Sequence, residues 1–271
     1  MNYYPKILNR IKRMPILEKV VLVFILLLMV SFFYNLDRYK EGYTEKKKIV
    51  RKIGNEVYDG YYADIYDKIT YSFLKNEYEI NQIIKNLHPS KSIILDVGCG
   101  TGHHVRLLKD KGIKTVIGVD NSKSMISKAK KNYPKENFKL CKNINSLEFN
   151  RAIFTHITCL YFTIYYIDDK NKFFKNCYYW LKPGGFLIIH MVDPLRFDPV
   201  VPNGKPLKIN YDKKDRITRS KADFEDFEYR SNFILDENIN LDNRYLNKRN
   251  VIFKETINDK NNNKTTINEH E

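Results

Sequence analysis

The chain has 271 residues, with 47 Lys and Arg against 32 Asp and Glu for a formal net charge of +15, and 43% hydrophobic residues. That length suits one sizeable α/β core with additions and argues against two independent domains. The four cysteines, at 99, 141, 159 and 177, form no C-x-x-C pair, which argues against zinc and against a disulfide framework; free thiols fit a reducing compartment.

The charge is unevenly placed. Residues 1–52 hold twelve Lys and Arg and four Asp and Glu, so more than half of the surplus flanks one apolar run. Val20 to Tyr34 contains no charged residue. Extended to residues 16–36, with Glu18 and Lys19 snorkelling, the run is long enough to span a bilayer, and Phe32, Phe33 and Tyr34 suit its interface. Ser31-Phe-Phe-Tyr-Asn-Leu offers no small-x-small cleavage site, so an uncleaved single-pass anchor over residues 1–36 is expected rather than a signal peptide. Five Lys and Arg precede the span and five follow closely, so the positive-inside rule gives no orientation. The remaining positive charge shows no basic stripe along the sequence, and a nucleic-acid partner is not expected.

Residues 37–52 read as a charged juxtamembrane linker. Tyr58 to Leu87 has helical spacing, ended near His88-Pro89, and predicts two helices. Ile93-Ile-Leu-Asp-Val-Gly-Cys-Gly-Thr-Gly102 then predicts a strand that runs into a tight, open loop, where glycines let a ligand approach the main chain. The G-x-G-x-x-G spacing of a dinucleotide fingerprint is absent, since position 103 is His and position 105 is Val. Twenty residues past Gly100, the run Thr115-Val-Ile-Gly-Val ends in Asp120, a carboxylate placed to accept ribose hydroxyls; the alternative is a helix cap, a role that Ser122 can also fill. Further alternation predicts helices over 102–111, 122–132 and 169–180 and strands over 138–141, 152–160 and 185–191, hence a parallel sheet with helices on both faces. From Asn258 the sequence is Asn-, Lys-, Thr- and Glu-rich, and 258–271 is expected to be a disordered polar tail.

Together these residues resemble the class I S-adenosylmethionine-dependent methyltransferases, in the small-molecule-type methyltransferase-domain group. Asp96-x-Gly98-x-Gly100-x-Gly102 is similar to the family's first motif, Gly118-Val-Asp-Asn-Ser122 with Met125 to its second, and Leu181-Lys-Pro-Gly-Gly-Phe-Leu-Ile-Ile189 to its late motif. Tyr62-Ala-Asp-Ile-Tyr66-Asp67 is similar to the N-terminal helix that covers the cofactor. The resemblance implies a Rossmann-like, seven-stranded, mostly parallel sheet over 53–257, completed by an antiparallel pair from Phe227–Ile234 and Asn250–Ile257. It also implies S-adenosyl-L-methionine as cofactor. The residues it assigns to that cofactor are Tyr66, Asp96, Gly98, Cys99, Gly100, Gly102, Asp120, Asn121, Met125, Asn143, Ile144 and Cys159. Asn143 stands where the family usually has an acid, and an Asn carbonyl can accept the same hydrogen bond.

The fourth parallel strand reads Phe154-Thr-His156 where relatives carry Phe-Asp. Candidate catalytic residues are His156 and His190 as bases and Tyr161 as an orienting hydroxyl, with Tyr165 similar; no metal is implied. The methyl acceptor, whether small molecule, lipid or protein, is not legible. The alternatives are a catalytically silent cofactor-fold scaffold at a membrane and a nucleic-acid-modifying methyltransferase. The cofactor favours a cytosolic catalytic domain on a membrane-anchored enzyme.

Overall fold

The computed structural model describes residues 13–41, 47–85, 87–142, 148–193, 197, 199, 205–211, 217–235 and 251–270. They form two compact units, divided between Lys47 and Lys48. Among the described residues of the first is the long helix α1 (Ile16–Glu41). Its segment Ile16–Phe33 has a mean hydropathy of 2.6 over 18 residues, none of it buried. That length and composition suffice to cross a membrane, a test that signal sequences also pass.

The second unit opens with strand β1 (Lys48–Ile53), a short 3-10 turn (Gly54–Val57), and helices α2 (Gly60–Thr70) and α3 (Phe73–Ile84). Side chains of Asp59 and Ser72 cap the two helices by accepting from the backbone N–H groups of Tyr62 and Lys75. The alternating region follows as β2 (Ile93–Val97), α4 (His103–Asp110), β3 (Thr115–Asp120), α5 (Lys123–Asn132), β4 (Asn137–Leu140), β5 (Phe154–Cys159), α6 (Lys170–Trp180) and β6 (Leu181–Ile189). Its strands form a parallel five-stranded sheet in the order β4-β3-β2-β5-β6. Period-2 alternation sends Ile94 to one face, against Val105, Leu108, Ile126 and Phe138, and Leu95 and Val97 to the other, against Ile157, Phe173 and Trp180. Burial on both faces explains why β2 reads as a nearly continuous apolar run.

A second sheet has six strands in the order β1-β11-β10-β9-β8-β7, with β7 (Lys205–Tyr211), β8 (Ile217–Asp223), β9 (Phe227–Leu235), β10 (Val251–Asp259) and β11 (Lys264–His270). All its pairs are antiparallel except β1 with β11. The expected seven-stranded sheet is therefore replaced by two sheets: β9 and β10 pair with each other but do not join the parallel one. Both edges of each are occupied by other strands of their own sheet. Their inner face has α2 and α5 to pack on, through Phe227, Tyr229 and Ile257 against Tyr62, Ile65 and Met125.

Two boundaries also change. Residues 264–270 are strand rather than disordered tail, because Asp259 Oδ1 accepts the backbone N–H groups of Asn261 (2.8 Å) and Asn262 (3.0 Å), turning the chain so that β11 fills the gap between β10 and β1. At the other end, the expected linker 37–52 contributes Asp37–Glu41 to α1 and Lys48–Lys52 to β1, so the folded unit starts at Lys48 rather than at 53.

Candidate active site

The loop after β2 and the tip of β3 bound a cavity of about 390 Å³ whose walls include Gly98, Gly100, Asp120, Asn121, Met125 and Tyr66. This lies at the carboxyl ends of the parallel strands, where open α/β sheets bind ligands. Asp120 is tied down twice, accepting from Gly100 N on Oδ2 (2.9 Å) and from Ser122 N on Oδ1 (2.8 Å). Burial pushes its carboxyl up, and backbone donors from Ser122, Gly100 and Asn121 oppose that without cancelling it. Each oxygen retains a second lone pair for a hydroxyl donor. Ser122 caps α5, accepting from Met125 N at 3.1 Å, so the cap does not occupy Asp120.

Gly100 has φ +53°, and a Cβ there would meet only Tyr66 Cε1, at 3.7 Å. The bare main chain there is open to the cavity, a cradle bounded on one side by the Tyr66 ring. Gly98 serves packing instead: with φ +70°, its Cβ would fall 2.3 Å from Thr163 Oγ1. The 3-10 turn before α2 covers the other side, with Asn121 Nδ2 donating to Asn55 Oδ1 (3.1 Å) and Ser122 Oγ donating to the Tyr58 carbonyl (2.6 Å).

A second cavity of about 310 Å³ adjoins the first, and Tyr58, Tyr66, Tyr161 and Phe162 line both. Its far wall comes from the second sheet, with Tyr229, Phe253, Glu255 and His270. Glu255, 2% exposed, accepts from Tyr229 Oη (2.6 Å), Tyr62 Oη (2.8 Å) and Asn268 Nδ2 (3.3 Å), and pairs with His270 Nε2 (2.9 Å). Burial pushes the Glu255 carboxyl up, but the hydrogen bond and charge of His270, with the two tyrosines, outweigh it and hold the group below the ordinary carboxylate range. Burial raises the phenols of Tyr58, Tyr62, Tyr66 and Tyr229 well above theirs.

Of the residues assigned from sequence, Tyr66, Gly98, Gly100, Asp120, Asn121 and Met125 line the first cavity. Asp96 does not; it is buried one layer below, accepting from Thr158 Oγ1 at 2.7 Å, and burial lifts its carboxyl above the usual range. Cys99 and Cys159 are buried in the two cores flanking the parallel sheet. Gly102 supplies the left-handed residue that starts α4. Asn143 and Ile144 lie outside the described residues.

Among the candidate bases, His156 is not at either cavity: it sits inside the sheet, stacked on Phe186 at 5.4 Å, because its place on β5 opposes Ile94 rather than the strand tip. Tyr161 lines both cavities in a left-handed conformation, φ +57°, with the Lys75 ammonium 4.1 Å from its ring centroid. His190 lines the second cavity and pairs through Nδ1 with Glu79 Oε1 at 3.2 Å. Sequence reasoning missed Tyr58, Tyr166, Glu255 and His270. Tyr58 alone had a local signal, standing just ahead of the covering helix. Among the described residues, no group of three or more His, Cys, Asp or Glu could hold a metal.

Comparison with known proteins agrees with this geometry. Residues 95–189 match the family model described as methyltransferase domain. The chain is 31% identical over 147 residues to malonyl-[acyl-carrier protein] O-methyltransferase of Priestia megaterium, covering 52% of this chain and 50% of that one. It is 30% identical over 142 residues to dTDP-4-amino-2,3,4,6-tetradeoxy-D-glucose N,N-dimethyltransferase of Saccharopolyspora spinosa, covering 50% and 56%. The chain thus spans about half the length of the curated relatives it matches. A solved S-adenosylmethionine-dependent methyltransferase from Clostridium acetobutylicum superposes with a TM-score of 0.51 at 22% identity, over 78% of this chain and 79% of that one, and shares its fold. Residues 95–189 are thus similar to a methyltransferase domain, on the Rossmann-like fold shared with that solved structure. S-adenosylmethionine is the cofactor expected of that domain, and the Asp120 carboxylate at the cavity suits its ribose hydroxyls.

Proposed function

We propose that this protein is an S-adenosylmethionine-dependent methyltransferase that acts on a small-molecule acceptor and is held at a membrane by α1. The observation that carries the reading is the shared wall of Tyr58, Tyr66, Tyr161 and Phe162 between two adjoining cavities. In this reading Asp120 holds the ribose hydroxyls, the main chain at Gly100 and the ring of Tyr66 hold the nucleoside, and the acceptor occupies the second cavity. The cofactor supplies an electrophilic methyl group. The protein's part is to bring the acceptor into line with it and to exclude water, a service that lowers barriers without any covalent enzyme intermediate. The similarity to an O-methyltransferase and an N,N-dimethyltransferase supports an oxygen or nitrogen acceptor. The anchoring half of the proposal rests on Ile16–Phe33, apolar and without protein cover.

The test is calorimetric titration of the full chain in detergent with S-adenosylmethionine, followed by transfer of its radiolabelled methyl group into small-molecule and lipid extracts. Micromolar binding and label in a low-mass product are expected. Absence of binding at millimolar cofactor overturns the reading.

A further inference from the structure

A continuous run of hydrogen bonds joins the wall of the first cavity to a buried carboxylate. Tyr58 lines both cavities, its ring centroid 5.2 Å from that of Tyr166; Tyr166 lines the first cavity and His270 the second. The Tyr166 hydroxyl is bonded to His270 Nδ1, and His270 Nε2 lies 2.9 Å from Glu255 Oε2. Glu255 is held as an anion by Tyr62, Tyr229 and Asn268 in addition to His270. A carboxylate accepts only, so Nε2 carries the imidazole proton and Nδ1 is the acceptor for Tyr166. That fixes one tautomer, and the order hydroxyl, imidazole, buried carboxylate is the arrangement by which Ser-His-Asp triads take a proton.

Resting on the methyltransferase reading above, we infer that Tyr166, His270 and Glu255 form a proton relay that deprotonates the acceptor. The acceptor is therefore of a class that enters still carrying its proton, a hydroxyl or an amine, and not a carboxylate. In the transfer step the acceptor's lone pair forms the new bond to the methyl carbon, and the carbon–sulfur bond breaks with its electron pair going to sulfur. The acceptor's proton passes to Tyr166 Oη and the Tyr166 proton to His270 Nδ1. The imidazolium that results is stabilised by Glu255 and loses its proton to solvent before the next turnover.

Two features favour a relay over a purely structural network. His270 holds one tautomer, with its accepting nitrogen turned to a hydroxyl at a cavity wall and its donating nitrogen to the buried carboxylate. The run also ends at Tyr166, on the wall of the first cavity, while its partner His270 lines the second, and not in bulk solvent. Groups facing His270 from the elements packed around it are Glu255 on β10, Tyr166, and the stacked ring of Phe253; Tyr62 on α2 and Tyr229 on β9 reach it through Glu255.

The experiment uses the full chain in detergent micelles, in wild-type, Tyr166→Phe and His270→Gln forms. Histidine ¹⁵N NMR is expected to show one neutral imidazole protonated on Nε2 and bare on Nδ1, whose Nδ1 signal moves in Tyr166→Phe. Titration with S-adenosylmethionine should leave the dissociation constant within about twofold, while the methylation rate of the labelled product falls about 100-fold in His270→Gln and loses its acid-side pH limb, the size expected for a general base. Tyr166→Phe is the gentle variant if His270→Gln fails to fold. An Nδ1-protonated tautomer, or rates and pH profile unchanged in both folded variants, overturns the relay alone. Failure of wild type to bind cofactor or transfer label overturns the methyltransferase reading and the relay with it.

Discussion

The backbone N–H of Gly100 donates to Asp120 Oδ2 at 2.9 Å, so the carboxylate at the tip of β3 closes the loop that follows β2. One side chain thereby shapes the loop and presents itself to the ligand. Replacing Asp120 by Ala removes both functions: charge-assisted hydrogen bonds contribute about 1.5–3 kcal/mol each, so cofactor affinity should fall by at least about tenfold. Calorimetry with S-adenosylmethionine measures it. An unchanged dissociation constant would remove Asp120 from the site.

Gly100 and Gly98 should fail in different ways. Gly100→Ala places a methyl group in the cradle facing Tyr66, with left-handed strain of about 1–2 kcal/mol, so binding should weaken more than stability. Gly98→Ala adds a clash with Thr163 to similar strain, so stability should drop first, and Thr163→Gly should restore part of it. Thermal melts with and without cofactor separate the two.

Glu79 gathers three nitrogen partners, with His104 Nε2 at 2.8 Å, His190 Nδ1 at 3.2 Å and Lys75 at 3.4 Å. Burial raises its carboxyl, yet hydrogen bonds from His104 and His190 and the charge of Lys75 hold it far below the ordinary range. A carboxyl lowered on folding stabilises above its unfolded titration and loses that contribution as pH falls through its folded one. Glu79→Gln should therefore cost about 1–3 kcal/mol at neutral pH, and the difference from wild type should narrow steadily below about pH 4. Urea melts across that range check the sign; a gap that widens in acid contradicts it.

If α1 is an anchor, the full chain resists carbonate extraction from membranes. Leu26→Arg in its centre should release a large share of it, since a central Arg costs about 2.5–3.5 kcal/mol for insertion. Equal extraction of both forms would leave α1 as something other than a span.

Legibility followed the range of the interactions. The strand into the glycine loop, Asp120 and the Ser122 cap are fixed by contacts within a few residues and by burial on both sheet faces, so the sequence pattern sufficed. β11 was not legible, because Lys264-Thr-Thr-Ile-Asn-Glu-His270 is too polar to signal a strand and is ordered by pairing with β1 and β10. With β11 went His270, and Glu255 was hidden with it, a charged residue on a strand whose inward side depends on register. His156 misled for the opposite reason: a histidine near a strand that carries catalytic groups in relatives looked like a base, while its position three residues short of Cys159 turns it into the core.

The parallel pairing of β1 with β11 brings together segments from nearly opposite extremes of the chain. During synthesis β1 emerges before the other strands of both sheets and has no mate until β11, which follows them, has been made. The glycine loop and its parallel sheet can assemble beforehand, but the chamber walled by Glu255 and His270 cannot. A nascent chain would acquire its nucleoside pocket first and its reactive chamber last, so incomplete products could hold cofactor without being able to spend it.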